Sequence, residues 1–216
     1  MSMRGLSLAA AAVGVLALAT AAVAAVVVGT SGSDVLRGSA EADEIRALAG
    51  NDVVYAGAGN DVVRAGSGHD AVRAGAGDDT AYGGPGADDV GGGDGDDRLA
   101  GGSDPDWVRG GEGSDRASGN RGNDLVAGGP GNDSLYGGFG ADRVYGGDGN
   151  DELHALAADG QADLLECGPG EDTAFVRRSE RPRTRLVGCE TLHLVVELTA
   201  EQEEGANADA DAEAEG

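Results

Sequence analysis

Every ninth residue from Asp34 to Asp151 is an aspartate: Asp34, Asp43, Asp52, Asp61, Asp70, Asp79, Asp88, Asp97, Asp106, Asp115, Asp124, Asp133, Asp142 and Asp151. First and last are thirteen steps of nine apart, so fourteen repeats follow one another without a gap. Two positions after each aspartate stands an apolar residue: Leu36, Ile45, Val54, Val63, Val72, Ala81, Val90, Leu99, Val108, Ala117, Val126, Leu135, Val144 and Leu153. Glycine fills much of the space between. One apolar side chain per nine residues cannot build a core alone. Such units must stack so that neighbours bury a continuous one.

Numbering each repeat so that aspartate is sixth, residues seven to nine read as a very short strand. The central one points inward, because strand side chains alternate faces. Residues one to six read as a turn, where glycine supplies positive φ. Asn or Asp at position five (Asn51, Asn60, Asp78, Asp96, Asn123, Asn132, Asn150) fits a turn, since both tolerate left-handed backbone. Two repeats make a circuit of eighteen residues, which gives two parallel sheets back to back. The predicted fold is all-β: a parallel β-roll of about seven two-repeat coils with a C-terminal capping segment. One sheet buries Leu36, Val54, Val72, Val90, Val108, Val126 and Val144. The other buries Ile45, Val63, Ala81, Leu99, Ala117, Leu135 and Leu153.

The same splitting stacks the aspartates along two edges, one strand spacing or roughly 5 Å apart. At an effective dielectric of ~20, neighbouring charges there repel by on the order of 3 kcal/mol. The whole chain has a formal net charge of −24 and 41 glycines. Without neutralisation that composition belongs to a disordered chain. It also makes nucleic acid and anionic lipid poor partners and cations good ones. The donors are hard oxygens, carboxylates and turn carbonyls, a set that suits Ca²⁺. Zn²⁺ would want Cys or His. Mg²⁺ keeps its waters and demands strict octahedral geometry. Calcium at about ten times its dissociation constant contributes ~1.4 kcal/mol per site, enough over many sites to decide whether the chain folds.

Copies such as GGDGDDRLA (Gly92 to Ala100), GGPGNDSLY (Gly128 to Tyr136) and GGDGNDELH (Gly146 to His154) resemble the nonapeptide of the repeats-in-toxin (RTX) family. The resemblance runs over roughly residues 29–175. It implies a β-roll with calcium between successive turns, held by the sixth-position aspartate and backbone carbonyls. Carried onto this chain, it points to Asp34, Asp52, Asp61, Asp70, Asp79, Asp88, Asp97, Asp115, Asp124, Asp133, Asp142 and Asp151 as calcium ligands. Asp43 and Asp106 are left out, because Glu41 and Asp104 replace the fourth-position glycine in their turns. Ala47, Ala56, Ala65 and Ala74 replace the first glycine of theirs. The best sites are expected within 83–100 and 128–154.

The flanks differ in character. A single Arg followed by an Ala/Leu/Val-rich run reads as a signal peptide over residues 1–25, with an uncleaved membrane anchor as the alternative. The protein is therefore expected to be secreted and extracellular. Val26 to Val28 stand where a strand before the first repeat would fall. Residues 26–154 make up the repeat roll. From 155 to 199 two degenerate repeats, ADLLE and CGPGEDTAF, follow a three-residue insertion and lead into a capping strand in which Leu192, Leu194, Val196 and Leu198 alternate. An even cysteine count behind a leader favours a Cys167–Cys189 disulfide over two free thiols. The same segment resembles the end of secreted actinobacterial proteins with such repeats. Residues 200–216 read as an acidic disordered tail.

These features weigh on function. HExxH, GxSxG and P-loop patterns do not occur in the sequence. The repeats begin where the leader ends, so a catalytic domain is not expected. His69, His154 and His193 read as ordinary surface or strand residues. The expectation is a non-catalytic calcium-binding protein, largely disordered without the ion, with calcium as its partner and no membrane contact once the leader is removed. The alternative is a structural or adhesive surface protein, whose outward Arg and Tyr (Arg37, Arg46, Tyr55, Arg64, Arg73, Tyr82, Arg109, Tyr136, Tyr145) meet a cell-surface or matrix component.

Overall fold

The computed structural model describes residues 25–195. The signal peptide expected over residues 1–25, except residue 25 itself, the tail expected over 200–216, and Val196 and Leu198 of the expected capping strand lie outside the described residues. The described chain is built from strands alone, wound into two parallel sheets. The first sheet holds ten strands in spatial order: Val26–Val28, Glu44–Arg46, Val62–Arg64, Thr80–Pro85, Arg98–Ser103, Arg116–Arg121, Ser134–Phe139, Glu152–Ala155, Thr173–Arg177 and Thr191–Val195. The second holds nine: Val35–Arg37, Val53–Ala58, Ala71–Ala76, Asp89–Asp94, Trp107–Glu112, Leu125–Pro130, Arg143–Asp148, Leu164–Glu166 and Arg185–Val187. Successive strands alternate between the sheets, and each pairs with the strand two elements further on. This is the expected parallel β-roll.

Pairing joins residues one circuit apart, such as Val72 with Val90 and Leu99 with Ala117. All fourteen eighth-position apolar residues are buried, at 5% exposure or less. The strands are longer than the three-residue reading. Most run six residues, from position seven through position three of the next repeat, and Gly75 pairs with Gly93 inside them. Position one therefore also faces inward. Ala47, Ala56, Ala65 and Ala74 sit there fully buried, and add methyl groups to a thin core.

Positive φ falls at positions two and four, as at Gly84 and Gly86. Leu48, Asp104 and Asn120 keep that conformation without being glycine. Position five does not adopt it. Its Asn and Asp form an exposed ladder instead: Asn132 Oδ1 accepts the Asn150 N–H at 2.8 Å, and Asp96 Oδ1 accepts that of Ser114 at 2.7 Å.

Both ends of the roll extend past the regular repeats. Val26–Val28 is a strand, with Val27 buried. A loop between Ala155 and Leu164 absorbs the three inserted residues, so that Arg143 pairs with Leu164 and Glu152 with Thr173. The predicted cap is itself a further coil. Leu192 and Leu194 hold the inward register of Ala174 and Val176 yet remain 39% and 42% exposed, because they belong to the last described strand. Including these ends, the roll has about nine turns, two more than the regular repeats alone provide. Cys167, buried at position one, is bridged to Cys189, with Cα atoms 5.1 Å apart.

Candidate metal centre

Each edge of the roll is a column of aspartates. Asp34, Asp52, Asp70, Asp88, Asp106, Asp124, Asp142 and Asp163 precede the strands of the second sheet. Asp43, Asp61, Asp79, Asp97, Asp115, Asp133, Asp151 and Asp172 precede those of the first sheet. Winding stacks them, because the backbone of each leads into a strand already in register with its neighbours.

The two carboxylate oxygens have different surroundings. Oδ1 accepts the backbone N–H of the aspartate one circuit earlier. The Asp52 N–H reaches Asp70 at 2.7 Å, that of Asp88 reaches Asp106 at 2.8 Å, and that of Asp133 reaches Asp151 at 2.9 Å. The column continues through the degenerate repeats, from Asp142 to Asp163 at 3.0 Å and from Asp151 to Asp172 at 2.8 Å. It closes on Glu190, whose carboxylate accepts the Asp172 N–H at 3.0 Å.

The second oxygen, Oδ2, is buried without a hydrogen-bond partner in Asp52, Asp61, Asp70, Asp79, Asp88, Asp97, Asp106, Asp115, Asp124, Asp133, Asp142, Asp151 and Asp172. One such orphan costs about 1–3 kcal/mol or more when charged. Burial accordingly pushes the column carboxyls from Asp52 to Asp151 up, the N–H bond to Oδ1 opposes it, and neighbouring carboxylates add to the rise at positions such as Asp61, Asp88 and Asp106. Asp106 reaches about 8. Asp88, Asp97, Asp133 and Asp142 reach about 7, and Asp61 and Asp124 about 6.

Where position one is glycine, it leaves a cradle beside the aspartate's Oδ2. A Cβ on Gly83 would lie 2.5 Å from both Asp88 Oδ2 and the Gly101 carbonyl oxygen. The same pair, a carboxylate oxygen and a carbonyl one circuit on, brackets Gly92, Gly119 and Gly128. Among the described residues no three Asp, Glu, His or Cys side chains converge into a ready-made metal cage. An ion here must draw on backbone carbonyls together with the carboxylates, which is a hard-oxygen set fitted to calcium.

The structure sets Asp106 in the same arrangement as its neighbours, since Asp104 holds the left-handed conformation that glycine would have provided. It also brings Asp163 and Asp172 into the columns. The nine-residue spacing breaks before them, and the resumption of that spacing was the only sequence signal. In the turns that begin with Ala47, Ala56, Ala65 and Ala74, a methyl group stands at the glycine's place.

The fold and these columns define the class: a parallel β-solenoid whose edges carry stacked turn carboxylates. The family model described as "RTX calcium-binding nonapeptide repeat (4 copies)" matches residues 28–63, 64–99, 91–126, 118–153 and 127–162. The chain belongs to the family of RTX calcium-binding repeat proteins. No curated protein matches it by sequence.

Proposed function

We propose that the protein is a secreted, non-catalytic calcium-binding module whose roll forms as the ion is taken up. The observation that carries this reading is the column of buried Oδ2 atoms without partners. A divalent cation beside each one removes both the orphaned acceptor and the repulsion along the edge. The sites proposed as strongest combine an orphaned Oδ2 with glycine at position one: Asp88, Asp97, Asp106, Asp115, Asp124, Asp133, Asp142 and Asp151. Asp52, Asp61, Asp70 and Asp79 share the orphaned oxygen and have a methyl group beside it, so they rank as weaker sites.

Export to a compartment rich in calcium rests on the leader-like residues 1–25, and the Cys167–Cys189 bridge supports it, because disulfides persist in oxidising surroundings. A second reading, contact with a cell-surface or matrix component, draws on the outer face of the second sheet. Tyr55 and Trp107 are exposed there, with the guanidinium groups of Arg37 and Arg109 stacked 4.5 and 4.7 Å from their ring centres. A calcium titration followed by circular dichroism tests the main reading. The expected result is a cooperative gain of β-signal that excess chelator reverses. A spectrum indifferent to calcium would sink it.

A further inference from the structure

Two turns at the N-terminal end are built differently from the others. In the turn from Gly29 to Asp34, the Thr30 N–H donates to Asp34 Oδ2 at 2.6 Å, and the Thr30 hydroxyl donates to the same oxygen at 2.9 Å. The Gly32 N–H in turn donates to the Thr30 hydroxyl at 3.2 Å. In the turn from Gly38 to Asp43, the Ser39 N–H and hydroxyl reach Asp43 Oδ2 at 2.5 and 2.9 Å, and the Glu41 N–H donates to Ser39 Oγ at 3.2 Å. The same three-bond arrangement thus appears twice, once on each edge.

The backbone changes with it. Positions two and four of the regular turns take positive φ, as at Gly57 and Gly59. None of Thr30, Gly32, Ser39 and Glu41 does so. A hydroxyl-bearing residue at position two therefore folds the turn inward onto its own aspartate. Where position two is glycine, no side chain is there to do this, and Oδ2 is left orphaned, as at Asp61, Asp88 and Asp133; at Asp124 position two is Asn120, which has no hydroxyl, and Oδ2 is orphaned as well. At Asp52 position two is Leu48, which has no hydroxyl, and Oδ2 is again orphaned.

We infer that in these two turns hydroxyl groups take the place of calcium. Asp34 and Asp43 bind no ion, and the calcium columns begin at Asp52 and Asp61. The inference rests on the calcium reading of the other turns. It makes the first coil a metal-independent end whose strands offer a paired edge to the coils that calcium must assemble. Asp34 Oδ2 and Asp43 Oδ2 each already accept two hydrogen bonds, so neither is an unsatisfied acceptor that needs a cation. A dication placed against them would also meet the positive ends of those N–H and O–H groups.

The test is the number of calcium ions bound by the full chain, measured by equilibrium dialysis. Three paired variants are compared with wild type. Asp34→Asn with Asp43→Asn is expected to leave the number bound unchanged. Asp97→Asn with Asp115→Asn is expected to lower it. Thr30→Gly with Ser39→Gly frees both Oδ2 atoms and is expected to raise it by about two ions, one for each freed carboxylate oxygen. Loss of ions from the Asp34/Asp43 pair, or no gain in the glycine pair, would overturn the inference. If the Asp97/Asp115 pair also changes nothing, the calcium reading of the columns fails instead, so the two failures are distinguishable.

Discussion

The backbone N–H of Asp97 donates to Oδ1 of Asp115, 2.8 Å away and one circuit further along the chain. The aspartates are thus structural hydrogen-bond acceptors through one oxygen and candidate metal ligands through the other.

That division separates two substitutions. Asp115→Asn keeps an oxygen for the Asp97 N–H and removes the charge. Its calcium affinity is expected to fall while the calcium-saturated fold survives. Asp115→Ala also orphans a buried N–H, at a further cost of about 1–3 kcal/mol. Chemical denaturation at saturating calcium, run on both variants, checks the difference. Equal stability of the two would show that the Oδ1 bond contributes nothing.

Without calcium the roll should be favoured by acid. Burial raises the Asp61, Asp97 and Asp106 carboxyls from 3.8 to about 6, 7 and 8 in the folded state. The folded state therefore holds protons that the unfolded chain has released. Stability is present below the unfolded value and is lost as pH rises through the folded ones. In excess chelator, circular dichroism should show β-structure gained as pH falls from about 8 toward about 4. With calcium bound the dependence should reverse, because protons then compete with the ion.

His154 should respond in the opposite sense to the carboxyls. It is stacked between Tyr136 and Phe175, with ring centres 4.3 and 4.6 Å away, and burial, with Arg116 nearby, pushes it down to about 4. A depressed value means that the folded state keeps the ring neutral while the unfolded chain protonates near 6.5. Its contribution is present above 6.5 and is lost as pH falls toward 4. Proton NMR of the calcium-loaded protein should show one imidazole that does not titrate between about pH 5 and 8. His154→Phe should remove that component of the pH dependence.

The Cys167–Cys189 bridge spans 22 residues and ties the buried core of one coil to the segment before the last described strand. Closing a loop of this length contributes about 3 kcal/mol in the chain-entropy account. Reduction, or Cys189→Ser, should release the strand Thr191–Val195 first and leave the middle of the roll protected. Hydrogen exchange measured by segment reads this directly. Uniform loss of protection along the chain would show that the bridge stabilises the whole roll instead.

Much of this architecture was legible in the repeat. Two apolar positions eighteen residues apart, such as Val72 and Val90, name their own partners, and the paired register follows. What the pattern hid was the work done by positions with no side-chain signature. Glycines at positions one to three read as turn, yet they pair as strand, because a residue without Cβ pairs as well as any other once its neighbours hold the backbone. The position-five Asn and Asp read as turn formers and act as a hydrogen-bond ladder. Asp106 read as a damaged site, but its turn is intact, since Asp104 accepts the left-handed backbone.

The sequence alone determined the nine-residue period, the inward apolar column, the acidic edges and the kind of ion they suit, because these depend only on residue type and spacing. Only the tertiary structure decided which oxygen of each aspartate is used by the fold and which is left without a partner. Thr30 and Ser39 show why. Their hydroxyls act on carboxylates four residues away through a turn conformation that no residue count specifies, and the orientation of a donor, not its presence, determines what a buried oxygen lacks.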